Sequence, residues 1–556
     1  NGDENWRLYS VDLADEYERD LTPFENVQAR VVRLSVARPH EIAISLNRRN
    51  PQLHDLYRLD LQNGEVQQLE ENQQGFVEYL LDEQLGPRLA VRPTAEGGSE
   101  VWRKEAGGWQ LFQSIPMTDA LTTYPLALDK SEEKLYWIDS RVRDTGALML
   151  LNLADGEQTQ LASDANCDAG RLLLHPTLKH AQAVEFTQAR RRWQVLDPTL
   201  ADDFAYLATV TEGELTIASR TLDDQRWLVV YEPDNGPTRY YCYDRPQRQA
   251  HFLFSDRSQL AGLPLARMQP VTLHACDGLA LISYYTLPAA CGGKPDAPLP
   301  LVLLVHGGPW QRDRWGYDPL HQWLANRGYA VLSVNFRGST GFGKAFVNAG
   351  NLEWGGKMHD DLLDAVDWAV AQGIADPQRI AIMGASYGGY ATLAGLTFTP
   401  ERFACGVDMV GPSNLVTLLE ALPPYWQPMI EMFTTRMGDH RTAAGRAFLA
   451  QRSPLHFVDA IRRPLLIAQG ANDPRVKQAE SDQIVQAMQR RGIPVTYLLY
   501  PDEGHGLARP ENNLSFYAVA ERFLAQHLGG QCEPLGDDLA DASLRVLAGE
   551  ITGSVE

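Results

Sequence analysis

The sequence predicts two domains of different construction: an all-β propeller at 1–258 and an α/β domain with a mostly parallel sheet at 259–530, followed by a C-terminal tail at 531–556. Three observations predict them. The first half repeats itself, the second half alternates apolar strands with helix-patterned stretches, and one Gly-x-Ser-x-Gly turn sits inside that alternation. At 556 residues the chain is too long for a single core.

The repeat is carried by short strand-like segments that end in Asp or Asn. Leu8-Tyr9-Ser10-Val11-Asp12-Leu13 recurs as Leu56-Tyr57-Arg58-Leu59-Asp60-Leu61 and as Leu148-Met149-Leu150-Leu151-Asn152-Leu153. Trp193 to Asp197 and Tyr240 to Asp244 are looser copies. The marker falls at 12, 60, 152, 197 and 244, in steps of 48, 92, 45 and 47, and the double step hides a degenerate copy near Val101-Trp102-Arg103. A period of about 46 residues is that of a four-stranded propeller blade. Asn63-Gly64 and Asp155-Gly156 supply hairpin turns between strands. Residues 1–256 hold between five and six periods, and the chain opens inside a blade, so part of the first blade or more is expected to be missing.

After a linker with Gly262, Pro264 and Pro270 the pattern changes. Asp277-Gly278 marks a hairpin. Leu301 to Val305 is continuously apolar, as a strand covered on both faces should be, and Tyr329 to Val334 is another such run. Leu362, Ala365, Val366, Ala369 and Val370 mark one helix face before the strand Arg379 to Met383. Cys405 to Val410, Pro464 to Ala468 and Val495 to Tyr500 continue the series. Strands alternating with helices form a parallel sheet, and its functional side chains sit on loops at the carboxyl ends of the strands.

Gly384-Ala385-Ser386-Tyr387-Gly388 is such a loop, a strand turning sharply into a helix. This is the nucleophile elbow of an α/β-hydrolase, which lifts the Ser386 hydroxyl clear of the sheet. A serine needs a base within hydrogen-bond reach, and in this fold the chain order is Ser, then Asp or Glu, then His. His505, in Gly504-His505-Gly506 directly after Val495 to Tyr500, is the candidate base. Asp473 follows the strand before it and is the candidate orienting acid; its competing role is a cap for a helix beginning near Val476. The oxyanion donors are placed at the backbone N–H of Tyr387 and that of Gly308, in His306-Gly307-Gly308-Pro309 after Leu301 to Val305. A second glycine-rich loop, Asn335 to Gly343, lacks the phosphate-binding patterns and reads as a support, with Arg337 bonding neighbouring carbonyls. The chemistry calls for no cofactor and no metal.

Composition narrows the setting. Fifty Lys and Arg against 71 Asp and Glu give a net charge of −21, which argues against nucleic acid or an anionic membrane as partner. Six scattered cysteines suggest reduced thiols and a cytoplasmic location rather than disulfides or a zinc site. No run of 18 or more apolar residues is present. The chain begins at Asn1 rather than Met, which leaves a removed signal sequence open.

Together these motifs resemble the prolyl oligopeptidase family of serine peptidases, above all its acylaminoacyl-peptidase-like branch. The resemblance rests on H-G-G-P at 306–309, N-F-R-G-S-T-G-F-G at 335–343, G-A-S-Y-G-G-Y at 384–390, Asn472-Asp473 and Gly504-His505-Gly506, and covers Pro270 to Leu528. It implies hydrolysis of short peptides through an acyl-enzyme, with the propeller restricting entry. Other branches carry a tyrosine where His306 stands, so a backbone donor must serve the oxyanion here. The dipeptidyl-peptidase branch holds the substrate amine with a Glu pair. The acidic pairs here, Glu70-Glu71, Glu132-Glu133, Asp202-Asp203 and Asp223-Asp224, read instead as solvated turns.

For the substrate side, Asn414, Tyr425 and Trp426 follow the strand after the elbow helix and suit either an apolar specificity pocket or core packing. A carboxylesterase or lipase would use the same triad, and a propeller scaffold with an inactive hydrolase domain is a third reading. Endo-, acylaminoacyl- and dipeptidyl-cleavage, and assembly into a homo-oligomer, are left open by the sequence.

Overall fold

The computed structural model describes residues 2–551. Five antiparallel sheets span 29–70, 78–115, 124–162, 169–195 and 214–255, their first residues 49, 46, 45 and 45 apart. They are the blades of a propeller. The repeated segment is the third strand of each blade, and the degenerate copy is the strand Ser99–Glu105. The Asp or Asn marker has a local cause. Asp12, Asp60, Asn152 and Asp197 each accept the backbone N–H two residues on, at 2.8, 2.7, 2.9 and 3.0 Å. Asp244 accepts from Gln247, three on, at 3.0 Å. All but Asp197 hold the turn into the next strand closed, and Asp197 caps the short helix Pro198–Leu200. At the degenerate copy Glu105 pairs directly with Gly108, and the two-residue turn leaves nothing for an Asp to hold.

The fourth blade has three strands, followed by the helix Ala201–Leu207. Two of the acidic pairs expected in solvated turns are partly interior. Asp224 is buried between Arg220 and Arg245, at 2.9 and 2.8 Å, and Asp203 accepts from the Tyr243 hydroxyl at 2.6 Å. Aromatic packing draws them in: Trp227, wholly buried between these blades, donates its indole N–H to Asp224 at 2.8 Å. An interior carboxylate is tolerated there because arginines and donors surround it.

The second half builds a nine-stranded sheet. Its strands are β1 (Met268–His274), β2 (Ala280–Thr286), β3 (Leu299–Val305), β4 (Ala330–Val334), β5 (Ala375–Ala385), β6 (Cys405–Met409), β7 (Leu465–Gly470), β8 (Thr496–Tyr500) and β9 (Arg545–Ala548). The spatial order is β1-β2-β4-β3-β5-β6-β7-β8-β9, and the six strands from β4 to β8 run parallel. Successive side chains of a strand enter opposite cores, which is why these strands are continuously apolar. Leu301, Leu303 and Val305 pack with helices α1 (Lys357–Ala371) and α2 (Tyr387–Phe398), whereas Val302 and Leu304 pack against α3 (Pro510–Leu528).

In the stretch read as a tail, β9 adds to the sheet edge antiparallel to β8, while residues 552–556 of that stretch lie outside the described residues. The four residues of β9, Arg545-Val546-Leu547-Ala548, are too few to carry a strand periodicity of their own. All six cysteines are free thiols. Among the described residues no helix is long and apolar enough to cross a membrane.

Candidate active site

The elbow is fixed by close backbone approach. A Cβ on Gly388 would stand 2.0 Å from the Val305 carbonyl oxygen at the end of β3, and one on Gly384 would meet the same oxygen at 2.6 Å. Only glycine fits either place. Between them Ser386 adopts φ +59°, a left-handed conformation rare for a serine, with its N–H bonded to the Met409 carbonyl at 2.9 Å.

The strand-end loops of β7 and β8 bring the other two candidates to this hydroxyl. His505 Nε2 lies 3.0 Å from Ser386 Oγ, and His505 Nδ1 lies 2.6 Å from Asp473 Oδ2. A carboxylate only accepts, so Nδ1 carries the proton and Nε2 is free to accept from the serine. Of the two roles the sequence left open, Asp473 faces the imidazole and holds the turn ahead of the next helix without capping it. Its Oδ2 faces the imidazole, while Oδ1 accepts the N–H groups of Arg475 and Val476 at 2.8 and 2.9 Å. The helix that follows begins at Gln478.

Gly307 and Gly308 line the same cavity as Ser386, Tyr387 and His505. A Cβ on Gly307 would lie 3.5 Å from Ser386 Cβ, and Gly308 has φ +120°. His306 Nδ1 is 2.8 Å from the Gly307 carbonyl oxygen and Nε2 is 3.0 Å from Ser339 Oγ, with the ring stacked on Phe336 at 4.4 Å. Burial lowers the His306 pKa to about 4, so the imidazole is neutral and donates from Nδ1. A peptide's C=O and N–H point opposite ways. Holding the Gly307 carbonyl therefore turns the Gly308 N–H away from His306.

Arg337 differs from its expectation. It bonds carboxylates, not carbonyls: Asp361 through Nε and Nη2 at 2.9 and 2.6 Å, and Asp277 through Nη1 at 2.8 Å. A buried guanidinium needs opposite charge, which neighbouring carbonyls alone do not supply. The pairing pulls Asp277 down to about 2.

The cavity, about 560 Å³, is closed by an apolar wall that includes Trp310, Trp426, Met429, Met432 and Phe433. Trp426 stacks on Phe433 at 5.5 Å and 21°. Of the three substrate-side candidates Trp426 alone is on this wall. Tyr425 turns its hydroxyl to Glu4, and Asn414 caps the helix Leu415–Glu420 by accepting from Val416 at 3.1 Å. Asn414 thus lies off the cavity, where an Asn one residue before a helix satisfies one of its free N–H groups. Sequence reasoning missed Arg475 and Glu4. Arg475 lines the cavity and pairs with Glu4 at 2.7 Å. Its position two residues after Asp473 placed it on the same loop, a signal that could have been used. Glu4 lies more than 400 positions away, and nothing local to it points here.

Comparison with known proteins bears on this geometry. Residues 315–531 match the model of the prolyl oligopeptidase family. The dipeptidyl aminopeptidase BIII of Pseudoxanthomonas mexicana is 52% identical over 553 residues, 99% of this chain and 80% of that protein. The chain belongs to the prolyl oligopeptidase family. Dipeptidyl peptidase family member 6 of Caenorhabditis elegans is 39% identical over 96% of the chain and 77% of that protein. A solved puromycin-hydrolyzing peptidase of Mycobacterium tuberculosis superposes with a TM-score of 0.76 at 23% identity, covering 96% of this chain and 84% of that one, and shares the fold. As a prolyl oligopeptidase family member the protein is a serine peptidase.

Proposed function

We propose that the protein hydrolyses short peptides by acylation of Ser386, and that it releases dipeptides from a free amino end. The observation that carries the first part is the bridging imidazole, with one ring nitrogen on the Ser386 hydroxyl and the other on the Asp473 carboxylate. His505 takes the Ser386 proton as Oγ attacks the scissile carbonyl. The N–H groups of Gly308 and Tyr387 receive the developing oxyanion. His505 then passes the proton to the leaving amine, leaving an acyl-enzyme that water hydrolyses by the same steps.

Glu4 supports the second part. In the sequence the acidic pairs of the propeller read as solvated turns, which counted against dipeptide release without excluding it. Glu4 instead supplies a carboxylate beside the cavity wall, held by Arg475 and the Tyr425 hydroxyl. A carboxylate set back from the serine suits a protonated amine two residues before the cleaved bond. Relatives named for dipeptide release at 52% and 39% identity support the same reading. The propeller would restrict the chamber to short chains.

Matched fluorogenic peptides with free and acetylated amino ends test this. Free peptides should be shortened two residues at a time, acetylated ones at least about tenfold more slowly, and Glu4→Gln should narrow that gap. Equal rates for both would contradict dipeptide release while leaving the acyl-enzyme chemistry intact.

A further inference from the structure

Arg312 ties the oxyanion loop to the propeller, alongside a second contact in which Arg190 of the propeller lies over the Trp315 ring. Arg312 stands four residues after Gly308. Its Nη1 donates to the Thr187 carbonyl oxygen at 2.6 Å and its Nη2 to the Gln188 carbonyl oxygen at 2.5 Å, both on the hairpin between the second and third strands of the fourth blade. The guanidinium lies over the Phe342 ring, 4.1 Å from its centre, and a Cβ on Gly341 would come within 2.8 Å of Nη1. Burial in this seam lowers the Arg312 pKa. Arg220 and Arg337 face carboxylates, whereas Arg436, like Arg312, is held by neutral oxygens, those of Asn348, Asn351 and the Met117 carbonyl. Arg312 faces carbonyl oxygens and a ring, a costlier arrangement unless the seat matters.

The surroundings say what it would hold. Gln311 accepts the Thr340 N–H at 2.9 Å, and Asp313 donates its N–H to Asn335 Oδ1 at 2.8 Å, so the loop leans on the 335–343 segment. That segment is itself docked on the propeller. Lys344 Nζ reaches Asp119 Oδ1 and the Ser140 carbonyl, both at 2.8 Å, and Asp144 Oδ1 accepts the Ala345 N–H at 2.7 Å. The turn through Gly308 is thus held at both ends: by His306 on the Gly307 carbonyl from within the hydrolase domain, and by Arg312 across the seam.

We propose that Arg312 is a positioning residue for the oxyanion site, fixing the Gly308 N–H by anchoring the far end of its loop to the propeller. The inference rests on the assignment of Gly308 as a donor. A residue that acts this way affects the tetrahedral state and leaves ground-state binding alone.

The test compares two ligands in Arg312→Met and Arg312→Lys. A peptide aldehyde adds to Ser386 and places its oxygen in the oxyanion site, whereas the product dipeptide binds without a tetrahedral centre. Arg312→Met should lower kcat and aldehyde affinity together by about tenfold to a hundredfold. KM, product affinity and the acid limb of the pH profile should stay within about twofold. Lysine, keeping charge and one donor, should restore most of the loss. If Arg312→Met fails to fold, Phe342→Leu, which removes the ring but leaves both bonds, should give a smaller loss with the same split. Unchanged aldehyde affinity in Arg312→Met, or in Phe342→Leu where Arg312→Met fails to fold, or equal losses for aldehyde and product, would overturn the inference. Wild-type protein binding the aldehyde no tighter than the product would instead overturn the oxyanion assignment, and this inference with it.

Discussion

The rim that carries Ser386 and the wall that faces it are built on different principles. On the rim each group has one place to be: Gly388 cannot bear a Cβ, Ser386 is held at φ +59°, and His505 has one partner on each ring nitrogen. The wall is a set of large apolar side chains, Met429, Met432, Phe433 and Trp426, with Trp426 stacked on Phe433. Methionines adapt to a missing neighbour, whereas a hydrogen-bonded relay does not. Changes on the rim should therefore abolish turnover, and changes on the wall should re-grade it.

The largest effect expected is that of Ser386→Ala, a fall in kcat on the order of a million-fold with the Tm little changed. Asp473→Asn should come next. Losing the acceptor for Nδ1–H favours the wrong tautomer, and kcat should fall about ten-thousand-fold, measured in the same assay. Phe433→Ala should act differently. It should cost about 1–3 kcal/mol in kcat/KM for substrates with a large apolar residue before the cleaved bond, and much less for small ones. A Phe433→Ala loss as deep as that of Asp473→Asn would erase the distinction between rim and wall.

The same distinction governs what could be read from the sequence. The elbow was legible because its constraint is local: two glycines, a serine and the strand and helix around them state the backbone geometry directly. The blade repeat was legible for a similar reason, since an Asp or Asn closing a turn must sit at a fixed place along its strand. That His505 and Asp473 would stand beside Ser386 needed only the rule that loops after the strands of a parallel sheet meet at one edge. The wall was half legible. Trp426 was found by composition, yet Asn414 and Tyr425 share its segment and point elsewhere, because which side chain faces a cavity depends on helix packing. Glu4, the carboxylates around Arg337, and β9 were invisible. Each is defined by a partner far along the chain, and no period or motif encodes it.

The smallest effect expected lies beneath the elbow. Asp408, at the end of β6, accepts the Gly411 N–H at 2.9 Å, and burial pushes its pKa up to about 7. In the unfolded chain an aspartate titrates near about 3.9. Between those values the folded protein binds the extra proton, so stability should fall as pH rises from about 4 to 7 and level off above. Asp408→Asn removes that slope. Thermal unfolding of both proteins from pH 5 to 8 should show the Tm of the variant falling less than that of the wild type. Parallel curves would mean that this rim position is as tolerant as the wall.

The most direct measurement is the site and stoichiometry of labelling by a fluorophosphonate, read by mass spectrometry of the digested protein alongside residual peptidase activity. One adduct per chain on Ser386, with activity lost in proportion and no labelling of Ser386→Ala, is the predicted result. An adduct on another residue, or full activity in a chain labelled at Ser386, would contradict it.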